Sequence, residues 1–173
     1  MPQEENKLKF FIEPLAKEHD RAAFSCGVET LDQYLQRQAT QDVKKHVAVV
    51  FVLTPDGKTI AGFYTLSQYA VELDVIPEAI ARKLPKYPHV PATLVGRLAV
   101  GADFRGQGLG ERLLMDALCR CFNGSRQLAS AAVVVDAKDD TAVAFYKKYG
   151  FLELPKVAKR LFLPMGTIEE LFG

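Results

Sequence analysis

Residues 96–114 constrain the fold more than any other part of the chain. Gly96-Arg97-Leu98-Ala99-Val100-Gly101-Ala102-Asp103-Phe104-Arg105-Gly106-Gln107-Gly108-Leu109-Gly110-Glu111-Arg112-Leu113-Leu114 reads as an apolar strand, a glycine-rich turn and the opening of an amphipathic helix. Gly106, Gly108 and Gly110 occupy three of five successive positions. Lacking Cβ atoms, they let the backbone turn tightly and come close to a ligand. The N–H groups of such a turn, at the start of a helix, form an anion site, because unpaired donors and the helix dipole both favour negative charge. Arg105 adds a positive charge beside it. A Walker phosphate loop requires Gly-Lys-Ser/Thr, and Gly110 is followed by Glu111. A dinucleotide fingerprint requires a third glycine where Glu111 stands. Arg105-x-x-Gly108-x-Gly110 is neither, and by itself it is as compatible with a tight turn that holds no ligand.

The flanking sequence sets the architecture. Ala92–Val100 is a central strand, and the helix after the loop runs from Gln107 to about Asn123, where Asn123-Gly124-Ser125 ends it. Ala131–Asp136 is almost wholly apolar, so it is buried on both faces and takes a parallel neighbour. Asp139-Asp140-Thr141 caps a helix through Tyr149, with Gly150 at the residue after its end. Ala92–Gly150 is therefore a βαβα unit. Ahead of it come a strand over Leu8–Pro14 and a helix over Val28–Lys45. That helix sets Leu31, Tyr34, Leu35, Gln38, Ala39 and Asp42 on one face. Strands at His46–Leu53 and Thr59–Asp74 flank a Pro-Asp-Gly turn and make an antiparallel hairpin. Ile76-Pro77-Glu78 opens a short helix with proline in its first turn. Leu84–Pro91 carries three prolines, which exclude regular helix and central strand, and is expected to be a rigid loop by the active-site entrance. Closing strands at Phe151–Leu154 and Arg160–Leu163 and a terminal helix at Thr167–Phe172 complete an α/β (α+β) domain. Its mixed sheet has about six to seven strands with helices on both faces. No repeat or linker divides the 173 residues, so residues 1–173 are expected to be a single domain.

Composition removes several function classes. Apolar residues make up 49% and charged residues 25%, as in ordinary globular domains. No run approaches the roughly 18 apolar residues of a membrane span. The start, Met1-Pro2-Gln3-Glu4-Glu5-Asn6-Lys7, has acidic residues and no apolar core, so no signal peptide is expected. Cys119 and Cys121 lie two apart on a helix and face different ways; with Cys26 they are expected to be free thiols in a reducing cytoplasm. His19, His46 and His89 lack ligand spacing, so no metal is expected. A net charge of +1 neither announces nor excludes a nucleic-acid partner.

A second motif gives the loop its meaning. Asp139-x-x-Ala142-x-x-Phe145-Tyr146-x-x-x-Gly150-Phe151 follows at the distance and in the order found in the GCN5-related N-acetyltransferases, the GNAT family. With Arg105-x-x-Gly108-x-Gly110, the chain resembles that family on two motifs placed on matching elements. The resemblance extends from Phe24 to Leu171 for one subgroup. Phe24-x-Cys26-Gly27, Gly62-Phe63-Tyr64-Thr65-Leu66-Ser67, Leu84-Pro85-x-Tyr87-Pro88, Val135-Asp136-Ala137-Lys138-Asp139 and Leu161-Phe162-Leu163-Pro164-Met165 are similar to the acetyltransferase toxins of bacterial type II toxin–antitoxin pairs.

The resemblance implies a sheet splayed at its central parallel strands and an acetyl-CoA cosubstrate. It implies that the pantetheine arm lies along the main chain of Leu98, Ala99 and Val100. It also implies that the diphosphate sits on the amides of Arg105, Gly106, Gln107, Gly108, Leu109 and Gly110. It places Tyr146 beside the sulfur as general acid; Tyr149, three residues on, is the rival on the same face. It puts Asp139 at the cofactor where the superfamily carries asparagine, whereas its residue type makes it a helix cap. The implied acceptor is the amino acid on charged tRNA, with a homodimeric, cytoplasmic toxin and a small DNA-binding antitoxin as partner. Arg97, Lys44 and Lys45 lead the basic candidates for that acceptor, with Arg82, Lys83, Lys86, Lys147, Lys148, Lys159 and Arg160 behind them. A small-molecule amine, a protein N-terminus, or a non-catalytic CoA-binding role remain as alternatives.

Overall fold

The computed structural model describes residues 9–172. Among them, strands β1 (Phe11–Pro14), β2 (Val49–Thr54), β3 (Gly62–Glu72), β4 (His89–Val100), β5 (Ala132–Asp136), β6 (Leu152–Glu153) and β7 (Arg160–Pro164) form a sheet of order β1-β2-β3-β4-β5-β7-β6. The helices are α1 (Glu29–Gln33), α2 (Ala39–Lys44), α3 (Glu78–Ala81), α4 (Leu109–Gly124), α5 (Asp140–Lys148) and α6 (Met165–Phe172). β4 and β5 run parallel, while β1–β2, β5–β7 and β6–β7 are antiparallel, so the sheet is mixed as expected. The chain divides into two compact units: residues up to Tyr64 with Leu98–Leu114, and Thr65–Arg97 with Met115–Gly173.

In the first unit Phe24, Tyr34, Leu35, Val50, Val52, Phe63 and Ala99 share one apolar core. The expected Val28–Lys45 helix forms with a correction: a π turn, Tyr34–Gln38, joins α1 to α2. Such a turn adds a residue to one turn of helix, which the regular 3.6-residue pattern does not anticipate. Asp42 faces back into that turn, accepting from the Tyr34 hydroxyl at 2.8 Å and from Gln38 Nε2 at 2.9 Å. The strand expected from His46 begins only at Val49. His46 sits in the left-handed region at φ 59°, and Val47 N–H donates to the Asp42 carbonyl at 2.9 Å, so these residues finish the helix first. The turn after β2 is tied by Asp56, whose carboxylate accepts from Thr59 N at 2.7 Å and Lys58 N at 2.9 Å. Those two bonds hold its carboxyl down at about 2. Of the first expected strand, Leu8 lies outside the described residues and Phe11–Pro14 are β1.

In the second unit β5 is the most deeply packed strand. Ala132, Val133, Val134 and Val135 are all 0% exposed, which bears out burial on both faces. Thr93–Val95 pair in parallel with Val133–Val135, and β7 pairs on the other side from Ala132↔Pro164 to Asp136↔Arg160. Alternation sends Ala132, Val134 and Phe162 into a core with Val71, Ile76 and Val90. The proline-rich loop is corrected at its end: Leu84–Pro88 is loop, but β4 starts at His89 and includes Pro91. Proline is tolerated there because its carbonyl still accepts, from Ala131 N–H at 2.8 Å, and the missing donor falls near the strand's first residues. Pro77 stands just before α3 as its cap, not inside its first turn. α4 begins at Leu109, two residues later than expected, because Gly108 keeps a positive φ.

Candidate active site

In the first unit, the candidate element is the turn between β4 and α4. β4 runs on to Val100, and its register with β5 spans Thr93↔Val133 to Val95↔Val135. Gly101 N–H donates to the Ala61 carbonyl at 2.7 Å and Ala102 N–H to the Ser25 carbonyl at 2.7 Å, which anchor the chain as it leaves the strand. A single 3-10 turn, Ala102–Phe104, follows. Then Gly106 and Gly108 adopt φ of 79° and 72°, a region other L-residues rarely enter.

A Cβ at either glycine would meet nothing within 4 Å. The turn is thus open, and its glycines are required by conformation rather than by crowding. Gly108 C=O accepts from Arg112 N–H at 3.3 Å, which makes Gly108 the N-cap and leaves the amides of Leu109, Gly110 and Glu111 outside the intrahelical ladder. The α4 dipole adds to these donors. Arg105 is held nearby: its Nη2 donates to the Cys26 carbonyl and its guanidinium lies against Gly27. Open space, amides outside the helical ladder and a nearby cation are features that suit a diphosphate.

In the second unit, the candidate element is α5 and the strand end before it. Asp139 caps the helix as its residue type predicts, accepting from Ala142 N–H at 2.8 Å. Asp139→Ala is expected to cost about 1 kcal/mol and to lower Tm by about 2–4 °C, read by thermal melting. Gly150 at φ 93° closes the same helix. Of the α5 side chains, Val143 and Tyr146 are buried. Tyr146 is 4% exposed, with its ring edge-on to Phe145 and Phe151. Its hydroxyl makes no hydrogen bond among the described residues. Yet it is not sealed: Arg21 Nε is the sole fully enclosed side-chain polar atom without a partner among them. Burial, and then the Asp136 charge, push the phenol well above its ordinary pKa, so it stays protonated at neutral pH. Tyr149, the rival, is the half-buried C-cap of α5 and packs edge-on to Phe145.

Arg97 is half buried in β4 and has an interaction partner within the molecule. Lys44 and Lys45 are exposed at the end of α2. Three other basic candidates are already paired: Arg82 with Glu78, Lys147 with Glu153 and Arg160 with Asp136. The first two pairs are surface pairs worth little. The third was not legible in the sequence, because it depends on the β5–β7 register that sets Asp136 opposite Arg160. The thiols are of two kinds: Cys121 is buried on α4, which pushes its pKa up to about 12, and Cys119 is half exposed on the next face. Among the described residues no three His, Cys, Asp or Glu side chains come together as a metal-ligand group.

The pattern matches known proteins closely. Residues 46–153 match the family model described as an acetyltransferase (GNAT) domain. "Probable toxin TacT" of Sinorhizobium fredii is 35% identical over 95% of this chain and 96% of its own length. The tRNA-acetylating toxin of Mycobacterium tuberculosis is 34% identical, covering 89% of this chain and 91% of that protein. Among solved structures, AtaT complexed with acetyl-methionyl-tRNAfMet superposes with a TM-score of 0.88 at 27% identity, over 95% of this chain and 100% of AtaT. A tyrosine-to-phenylalanine variant of AtaT, bound to acetyl-CoA and the C-terminus of the antitoxin AtaR, superposes with a TM-score of 0.80 at 25% identity, over 95% and 98%. The chain belongs to the GNAT acetyltransferase family. Within it, these relatives are named as toxins, and the mixed seven-stranded sheet is that of the family.

Proposed function

We propose that this protein is a toxin that transfers the acetyl group of acetyl-CoA to the α-amine of aminoacyl-tRNA and so blocks translation. The observation that carries the chemistry is the open Gly106–Gly108 turn at the start of α4, with its amides unspent. The likeness to two tRNA-acetylating or probable toxins at about a third identity carries the choice of acceptor.

Acetyl-CoA, when bound, supplies the activated acyl group. The main-chain N–H groups of Arg105–Gly110 would hold its diphosphate by direct donation, with Arg105 as counter-charge. The backbone of Leu98, Ala99 and Val100, in β4, would take its arm in strand fashion. An N–H near Val100 would polarise the carbonyl as an oxyanion donor does. Tyr146 would return a proton to the departing thiolate, and the phenol is protonated at neutral pH. The acceptor amine is partly unprotonated near neutrality, so water can take its proton. Asp139 acts as the helix cap rather than as a cofactor ligand, and Arg97, Lys44 and Lys45 would serve the tRNA backbone.

We further place the protein in the cytoplasm, as a homodimeric, one-domain enzyme held in check by a small DNA-binding antitoxin. No helix among the described residues is long and apolar enough to cross a membrane.

The sign of the Tyr146 shift gives a pH prediction. A raised phenol pKa means the acid form persists as pH rises, so turnover should show no alkaline loss from this group up to about pH 10. A steady-state profile with a falling limb near pH 8 would remove Tyr146 from the acid role. The biological reading is tested by expression in a bacterial host. Growth should stop, resume when the small protein encoded beside it is co-expressed, and be unaffected by the Tyr146→Phe form. Normal growth with soluble, acetyl-CoA-binding wild-type protein would contradict it.

A further inference from the structure

The C-terminal end of β5 is clamped more heavily than a strand end needs. Asp136, its last residue, lies opposite Arg160 in the β5–β7 register. Arg160 grips both carboxylate oxygens, Nε to Oδ1 at 2.7 Å and Nη2 to Oδ2 at 3.2 Å, the two-point geometry of a strong pair. Its third nitrogen, Nη1, donates to the Tyr69 hydroxyl, and the guanidinium stands 5.0 Å over the Tyr69 ring. One residue on, Ala137 N–H donates to the Lys159 carbonyl at 2.8 Å. Lys159 holds φ at 58°, a left-handed conformation that a lysine keeps only when its surroundings impose it. Two residues further, Asp139 caps α5, the helix that carries Tyr146. Side chain and main chain of Lys159-Arg160 therefore fix the segment from which α5 starts.

The same pair matters electrostatically. After burial, the Asp136 charge is what raises the phenol's pKa; the rings packed on Tyr146 are Phe145 and Phe151, which carry no charge. A bare carboxylate there would make the phenol a poorer acid, and a cation on both its oxygens offsets that field.

We propose that Arg160 is a positioning residue for Tyr146: it pins the strand end that launches α5 and masks the Asp136 carboxylate from the phenol. The proposal rests on the reading that Tyr146 donates the proton. It also reassigns Arg160, a candidate tRNA contact by sequence, to the protein's own acid.

The test is a set of single-turnover measurements at saturating acetyl-CoA, with thermal melting in parallel to confirm folding. Arg160→Gln should lower the transfer rate about three- to tenfold, with KM for acetyl-CoA and for charged tRNA within about twofold. Arg160→Lys, which keeps the charge, should hold most of the rate. Asp136→Asn combined with Arg160→Gln should recover much of the loss, because the unmasked carboxylate is gone. In a Tyr146→Phe background Arg160→Gln should add almost nothing, as expected of residues acting through one step. An unchanged rate in Arg160→Gln overturns the proposal. So does a loss that the Asp136→Asn partner does not relieve and that adds fully to Tyr146→Phe, or one that appears in KM for tRNA. If Tyr146→Phe itself keeps full turnover, the acid assignment falls, and this proposal with it.

Discussion

Tyr146→Phe is expected to lower acetyl transfer by about 10²–10⁴-fold while acetyl-CoA binding, followed by calorimetry, stays within about twofold. The ring of Tyr146 is held by Phe145 and Phe151, so phenylalanine fills the same space without repacking. What disappears is a hydroxyl that makes no hydrogen bond among the described residues, so no internal partner is orphaned. Stability should therefore barely move, and Tm should stay within a degree or two. A large drop in Tm, or full turnover in the variant, would place Tyr146 in the packing and not in the chemistry. Tyr149→Phe serves as the comparison, and its turnover should remain near wild type because Tyr149 caps the end of α5.

Gly108→Val carries the second large expected effect, and it runs the other way through binding. Gly108 holds φ at 72°, where a Cβ clashes with its own backbone, and a β-branched side chain fares worse. Strain of roughly 1–2 kcal/mol per residue pushes the turn toward another conformation. The amides then change direction. The Kd for acetyl-CoA should rise at least tenfold, since each 1.4 kcal/mol is a factor of ten. The space around a Cβ at this position is open, so folding should survive. Equal affinity in wild type and variant would mean that the diphosphate is not held by this turn. Desulfo- or dephospho-CoA competitors need not be invoked: CoA itself, without the acetyl group, reads the same grip.

The sequence disclosed those features that depend on local rules. The glycine pattern located the turn because positive φ at Gly106 and Gly108 has few other solutions. Asp139 announced a cap and Gly150 an end, and both do what their residue types allow. The unbroken apolar run at Ala132–Val135 marked a strand covered on both faces. Features that depend on partners far along the chain were not legible. The π turn at Tyr34–Gln38 adds a residue that the regular 3.6-residue pattern does not anticipate. Pro91 was excluded from β4 by its missing donor, but the neighbouring strand needs only its acceptor. Arg160 looked like a surface cation until the β7 register set it against Asp136, twenty-four residues back. Pairings of that kind arise from register, and register is a tertiary property.

One measurement reaches the central claim directly: mass spectrometry of the aminoacyl ends of total charged tRNA after incubation with the protein and isotopically labelled acetyl-CoA. A labelled acetyl group on the α-amine of one or more aminoacyl species is expected, absent with Tyr146→Phe. Charged tRNA that stays unlabelled, in a sample where the wild-type protein demonstrably binds acetyl-CoA, would contradict it.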